Sequence, residues 1–161
     1  MDTEEAIRGR RSVREYTKED ISEDDVKAIL EAGRMAPSGL NNQPWRFKVL
    51  RGEEKDSVAK HTKYGGTIRK APVCIAVFLD EASCYNRTKD LQAVGACLQN
   101  MLLAIHNRAL GAVWLGEILN QHETVEKELG VKHELMAVVA LGHPAEDGGA
   151  PDRKDLTELL I

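Results

Sequence analysis

The chain has 161 residues, 42% of them hydrophobic and 30% charged, which suits one globular domain with its own core. Its formal net charge is −4, with no basic face outside residues 8–14, so nucleic acid is disfavoured as a partner. Three cysteines (Cys74, Cys84, Cys97) without CxxC spacing point to neither a disulfide framework nor a zinc knuckle, and reduced thiols in a cytoplasmic protein fit best.

In chain order, Asp2 is placed to cap a short helix running through Ile7. The start of the chain is acidic and lacks the basic-then-apolar order of a signal peptide. Then comes Arg8-Gly9-Arg10-Arg11-Ser12-Val13-Arg14, with four arginines in seven residues. The planar guanidinium fork fits phosphate or carboxylate oxygens two at a time. Gly9 frees the backbone to turn, and Ser12 adds a hydroxyl. Two readings stand: a grip for a phosphorylated ligand, or a solvated basic patch where a helix ends.

Ser22 and the acids at 23–25 start a second helix, with Val26, Ile29, Leu30 and Gly33 on one face. It ends near Met35, because Ala36 precedes Pro37. Residues 36–45 (APSGLNNQPW) form a structured loop held by prolines at 37 and 44. Its Asn and Gln side chains suit the edge of a heterocycle that alternates donors and acceptors. A strand follows over 46–51, then an exposed helix over 53–61, then a turn or flexible loop at Tyr64-Gly65-Gly66.

Residues 72–79 (PVCIAVFL) read as a strand buried on both faces. A polar connection over 80–88 leads into the longest helix, 89–108. Apolar side chains lie on most sides of that helix, and Ala93, Gly95, Ala96 and Cys97 would admit a close helix neighbour. This suggests burial at a subunit interface, with a core helix in a monomer as the alternative. Its stretch from Leu91 to Asn107 is uncharged but too short and polar to span a bilayer. Strands over 110–115 and 135–141 flank a helix over 121–129 that ends at Gly130. The chain closes on an apolar tail with Leu156, Leu159, Leu160 and Ile161, expected to dock on another surface. The order of elements gives an α+β domain of three layers, spanning 1–161, with a sheet of about four or five strands.

No GxGxxG follows a strand, no GKS or GKT occurs, and the five histidines never fall at metal-ligand spacing. No nucleophile or acid–base constellation is evident, so any catalysis would rest on a cofactor.

Several stretches together resemble the nitroreductase family of FMN-dependent oxidoreductases. They are Arg10-Arg11-Ser12-Val13-Arg14, Ala36-Pro37-Ser38, Asn42-Gln43-Pro44-Trp45, Ala71-Pro72-Val73, Gln99-Asn100, Trp114-Leu115-Gly116, and Leu141-Gly142-His143-Pro144 before Arg153. The resemblance implies a three-layer α/β/α fold with a mixed, mainly antiparallel sheet. It also implies a homodimer with exchanged C-terminal arms and two FMN sites at the interface. By the same resemblance Arg10, Arg11, Ser12 and Arg14 hold the FMN phosphate and ribityl chain, completed by Arg153. Pro37, Ser38, Gly39 and Asn42 or Gln43 pack on the flavin, partly of the neighbouring subunit. Leu115, Gly116 or Glu117 presents a backbone N–H to flavin N5. No metal and no side-chain catalyst is implied. The implied reaction is ping-pong electron transfer from NADH or NADPH to a small organic acceptor such as a nitroaromatic or quinone. A flavin-binding module without turnover, or dehalogenation or flavin fragmentation on the same fold, are the alternatives. The segment 80–88 stands where many family members carry a longer helical excursion, which implies a small lid and an open substrate face.

Overall fold

The computed structural model describes residues 2–161. Its centre is β2 (Val73–Leu79), all seven residues of which are buried. Such a strand needs cover on both faces and neighbours on both edges. β1 (Trp45–Leu50) and β4 (Glu134–Gly142) pair with its two edges, and β3 (Gly111–Leu115) pairs with the far edge of β4. All three pairings are antiparallel, in the order β1-β2-β4-β3. The expected mixed sheet is thus antiparallel throughout its named strands, with one parallel bridge from Ser12 to Ala112 at the β3 edge.

Alternation along the strands divides the interior into two cores. Val73, Ile75, Val77 and Leu79 face one core, shared with α2 (Glu23–Arg34) and α5 (Arg87–Asn107) through Ile29, Cys97, Leu98, Met101 and Ile105. Cys74, Ala76 and Phe78 face the other, shared with α3 (Gly52–Val58), α4 (Gly65–Lys70) and α6 (His122–Glu128) through Val58, Ile68 and Val125. The result is helices, sheet, helices. α1 (Thr3–Gly9) begins with an Asp2–Glu5 capping box and lies against α5.

Three expectations change. Tyr64-Gly65-Gly66 is the start of α4 rather than a loose turn. Ile68 is fully buried there, and the Thr67 and Ile68 N–H groups bond the Tyr64 carbonyl, so tertiary burial overrides two glycines. The exposed helix expected over 53–61 is shorter and partly buried. Lys55 Nζ lies inside, donating to the Arg69 and Ala71 carbonyls at 3.0 and 2.6 Å, which ties α3 to the end of α4. The close neighbour of α5 belongs to the same chain: a Cβ on Gly33 of α2 would stand 2.7 Å from Met101 Cγ and 3.1 Å from Cys97 Sγ. Gly95 faces open space instead, beside exposed Leu91 and Gln99 and half-buried Ala96. No described helix is long and apolar enough to cross a membrane. The tail forms a 3-10 turn at Leu156–Leu159 and exposes its leucines.

Candidate functional site

The arginine segment lies along the free edge of β3. Val13 N–H bonds the Ala112 carbonyl at 2.9 Å, next to the Ser12 bridge. This contact requires glycine at 111, since a Cβ there would fall 2.8 Å from both Cβ and Cγ1 of Val13. Tyr16, 8% exposed, anchors the other end, its hydroxyl lying 2.6 Å from the Val13 carbonyl and 3.0 Å from that of Ala140. Thr17 N–H to His143 and Ala145 N–H to Glu15 close a further bridge to the end of β4.

This frame brings Arg10, Arg11, Ser12, Arg14 and Arg153 around one cavity of 340 Å³, closed by Gly149, Ala150 and Pro151. Among the described residues none of these four guanidinium groups forms a salt bridge; along the segment Arg8 lies 4.0 Å from Glu4, and Glu146 Oε1 accepts the Arg14 backbone N–H at 3.2 Å. Burial, and then Arg153 and Arg11, push the Arg10 pKa down. His106 on α5 is also held below its usual range by burial, Arg10 and Arg11. A clustered, uncompensated positive charge of this kind is a site for an anion of more than one charge. The exception within the cluster is Arg11: its Nη1 donates to the Arg8 and Arg10 carbonyls at 2.6 and 3.0 Å and caps the end of α1. A second cavity of 520 Å³ shares Arg10 and Arg11 and reaches Leu102, Ile105 and His106 on α5.

The loop residues lie elsewhere. Pro37, Ser38 and Gly39 line a separate cavity of 320 Å³ against Tyr85 and the first half of α5. From Gln92 beside it to His106 beside the arginines is about 20 Å along the helix axis. Within this loop Leu40, Asn41 and Gln43 have φ of 54°, 55° and 47°, a left-handed backbone that costs about 1–2 kcal/mol for each such residue. Leu40 is also 85% exposed. The strain is held by Asn42, whose Nδ2 donates to the Ser83 carbonyl at 2.9 Å and to Asp90 Oδ1 at 2.7 Å. Two acceptors fix that amide's orientation and leave its Oδ1 buried without a donor. Gln43 is spent locally too, its N–H on Ser38 Oγ and its Nε2 on the Asn41 carbonyl. Asn42 and Gln43 thus shape the loop.

Asp90 is a residue of this region that sequence reasoning missed. It is fully buried and accepts from Asn42, from Tyr85 N–H at 3.1 Å and from Asn86 N–H at 2.9 Å. Burial raises its pKa, and these hydrogen bonds outweigh burial, so the carboxyl sits below its ordinary value. Its only sequence signal is a lone acid just ahead of an uncharged helical stretch.

At the end of β3, Leu115 is buried and Gly116 exposed. Glu117 turns away, accepting from Thr62 Oγ1 at 2.5 Å and Lys63 N–H at 3.3 Å. The Gly116 and Glu117 N–H groups find no acceptor among the described residues, as happens where a 3-10 helix begins. Gly111 and Leu115 are about 13 Å apart along the strand, so this pair of free donors and the arginine cavity flank one edge of the sheet. Among the described residues no cluster of three His, Cys, Asp or Glu side chains is placed to hold a metal.

A flavin mononucleotide can be tested against this donor set. Its phosphate dianion matches Arg10, Arg14, Arg153 and Ser12, and a ring nitrogen acceptor matches the free N–H groups at 116 and 117. The residues fit.

The model for the Nitroreductase family matches residues 7–65 and 56–143. A Desulfovibrio desulfuricans protein, assigned by name as a nitroreductase and solved in complex with FMN, is 50% identical. It superposes with a TM-score of 0.97, covering 100% of this chain and 96% of that one. A Methanothermobacter thermautotrophicus protein, assigned by name as an NADH dehydrogenase/NAD(P)H nitroreductase, is 33% identical over 160 residues. That match covers 96% of this chain and 84% of the relative. A Rhodospirillum rubrum protein named 5,6-dimethylbenzimidazole synthase is 27% identical over 91% of this chain and 84% of its own length.

Proposed function

The chain belongs to the nitroreductase family, and on that footing we propose that it is an FMN-dependent oxidoreductase that takes electrons from NADH or NADPH and passes them to a small organic acceptor. The observation that carries this reading is the cluster of Arg10, Arg14 and Arg153 around one cavity without a salt bridge among the described residues, with Arg10 and Arg14 flanking the Val13 bond to the β3 edge. The names of the Desulfovibrio and Methanothermobacter relatives support the cofactor and the donor.

When bound, FMN supplies two-electron chemistry that no side chain of this protein offers. Arg10, Arg14, Arg153 and Ser12 would hold its phosphate. The free N–H groups of Gly116 and Glu117 would orient the ring edge and stabilise negative charge that develops there. Donor and acceptor would use one open face in turn, the ping-pong order.

Each site would draw on two copies of the chain. In one copy the strained 36–45 loop and the arginine cavity sit at opposite ends of α5. A two-fold pairing along the face at Gln92, Gly95, Ala96 and Gln99 would set the loop of each copy over the FMN site of the other. It would also give the exposed tail leucines a partner surface.

The test is the visible spectrum of the purified protein, followed by FMN titration and anaerobic addition of NADH or NADPH. A yellow protein that bleaches with either nucleotide is expected. A colourless protein that takes up no FMN refutes the reading. A second reading, a different chemistry on the same cofactor, is favoured by the Rhodospirillum relative's name. It predicts 5,6-dimethylbenzimidazole among the products.

A further inference from the structure

The cavity at the start of α5 has a chemistry that holding a cofactor does not require. Ala93 and Ala96 form a small apolar floor, and Tyr85, 44% exposed, forms a wall. Gly39 admits that ring: a Cβ at 39 would collide with the phenol. Lys89 lies in the first turn of α5 and Tyr85 just ahead of the Asn86 cap, with Lys89 Nζ 5.4 Å from the ring centroid. It forms no salt bridge among the described residues; the adjacent acid, Asp90, is buried and already receives three donors. The Tyr85 hydroxyl, the Lys89 ammonium and the Gln92 amide make no hydrogen bond among the described residues. An apolar floor, an aromatic wall and a rim of unused donors, one of them charged, match a flat ring that carries oxygen acceptors and a negative charge.

We propose that this cavity is the acceptor subsite, and that Lys89 with Tyr85 makes it select planar aromatic acceptors bearing a carboxylate over neutral ones. The proposal rests on the reading above, in which two copies pair and this cavity lies over the partner's flavin. A carboxylate replaces water at an ammonium already half-shielded by a ring, whereas a neutral acceptor gains only the stacking. Lys89 is on the surface, so the preference is modest, about two- to fivefold.

The experiment uses the FMN-loaded protein, with cofactor content fixed by absorbance. Benzoate and benzyl alcohol are titrated while the flavin spectrum is followed. Anaerobic turnover of 4-nitrobenzoate and 4-nitrobenzyl alcohol is then compared. In that turnover one NADH and one proton convert the nitro group to nitroso, with loss of one water and formation of NAD+. The expected result is tighter binding and a higher kcat/KM for the carboxylates, by about two- to fivefold. Lys89→Met should erase that ratio, Lys89→Arg should keep it, and Tyr85→Ala should weaken both classes. Equal affinity for benzoate and benzyl alcohol, or no spectral change with either, overturns the subsite. So does a ratio that survives Lys89→Met. A protein that takes up no FMN defeats the functional reading itself and never reaches this comparison.

Discussion

Replacing Gly111 with alanine adds one methyl group at the point where the arginine segment touches the sheet. That carbon would lie 2.8 Å from two atoms of Val13 and 3.0 Å from a third, about 1 Å inside normal contact. Val13 is 6% exposed and lines the 520 Å³ cavity, so it can yield only toward that cavity, taking the arginine segment with it. Overpacking of this kind costs about 1–3 kcal/mol, which for a chain of this size lowers the melting temperature by about 2–12 °C. The larger effect falls on the cofactor. If the segment moves, at least one arginine–phosphate hydrogen bond weakens, worth about 1.5–3 kcal/mol, or about ten- to 150-fold in FMN affinity. Both quantities are read together, the dissociation constant by quenching of FMN fluorescence and the melting temperature with and without FMN. Gly66→Ala is the control, because its Cβ meets nothing within 4 Å. The reasoning fails if Gly111→Ala melts lower yet binds FMN as tightly as the parent. That result would make the β3 contact structural support with no hold on arginine geometry.

Other outcomes follow from the same contacts. Arg153→Ala and Arg10→Ala should each weaken FMN binding about ten- to 150-fold in a dialysis or fluorescence assay while leaving the circular dichroism spectrum unchanged. Tyr16→Phe removes the only side-chain donor recorded for the Val13 and Ala140 carbonyls and should destabilise by about 1–3 kcal/mol in urea unfolding. Asp90→Asn turns an amide against three donors and should lower the melting temperature at pH 7. The folded Asp90 carboxyl has a depressed pKa, so its contribution is complete above the ordinary aspartate value of about 3.9 and is lost as pH falls through the lower folded value. The melting difference between parent and variant should therefore narrow only below about pH 4. Light scattering should give twice the mass of one chain, and removal of residues 156–161 should weaken that association.

Periodicity made the sheet legible. Residues 72–79 have no polar side chain, and only a strand covered on both faces tolerates that. The caps at Asp2 and Ser22 and the stop at Gly130, with φ of 64°, were equally plain. What stayed hidden were contacts between residues far apart in sequence. Nothing local says that Gly65-Gly66 begins a helix, because Ile68 makes it one by entering a core built from α3 and β2. For the candidate site, the arginines announced themselves by charge, whereas Gly111, Tyr16 and Asp90 act through partners up to 124 residues away. Asn42 has a role within the fold that its sequence did not announce. An amide suited to a heterocycle edge also suits a carboxylate and a carbonyl, and the fold offers those first.

The length of α5 has a genetic consequence. Because the two halves of a site lie at its opposite ends, the proposed pairing makes each site from the arginines of one copy and the loop of the other. An Arg14→Ala chain and a chain with a damaged 36–45 loop would each form inactive pairs. In a mixed pair, both lesions fall into one site and the second site receives two sound halves. Equal mixing restores about a quarter of all sites, so two inactive alleles would complement one another in the same cell.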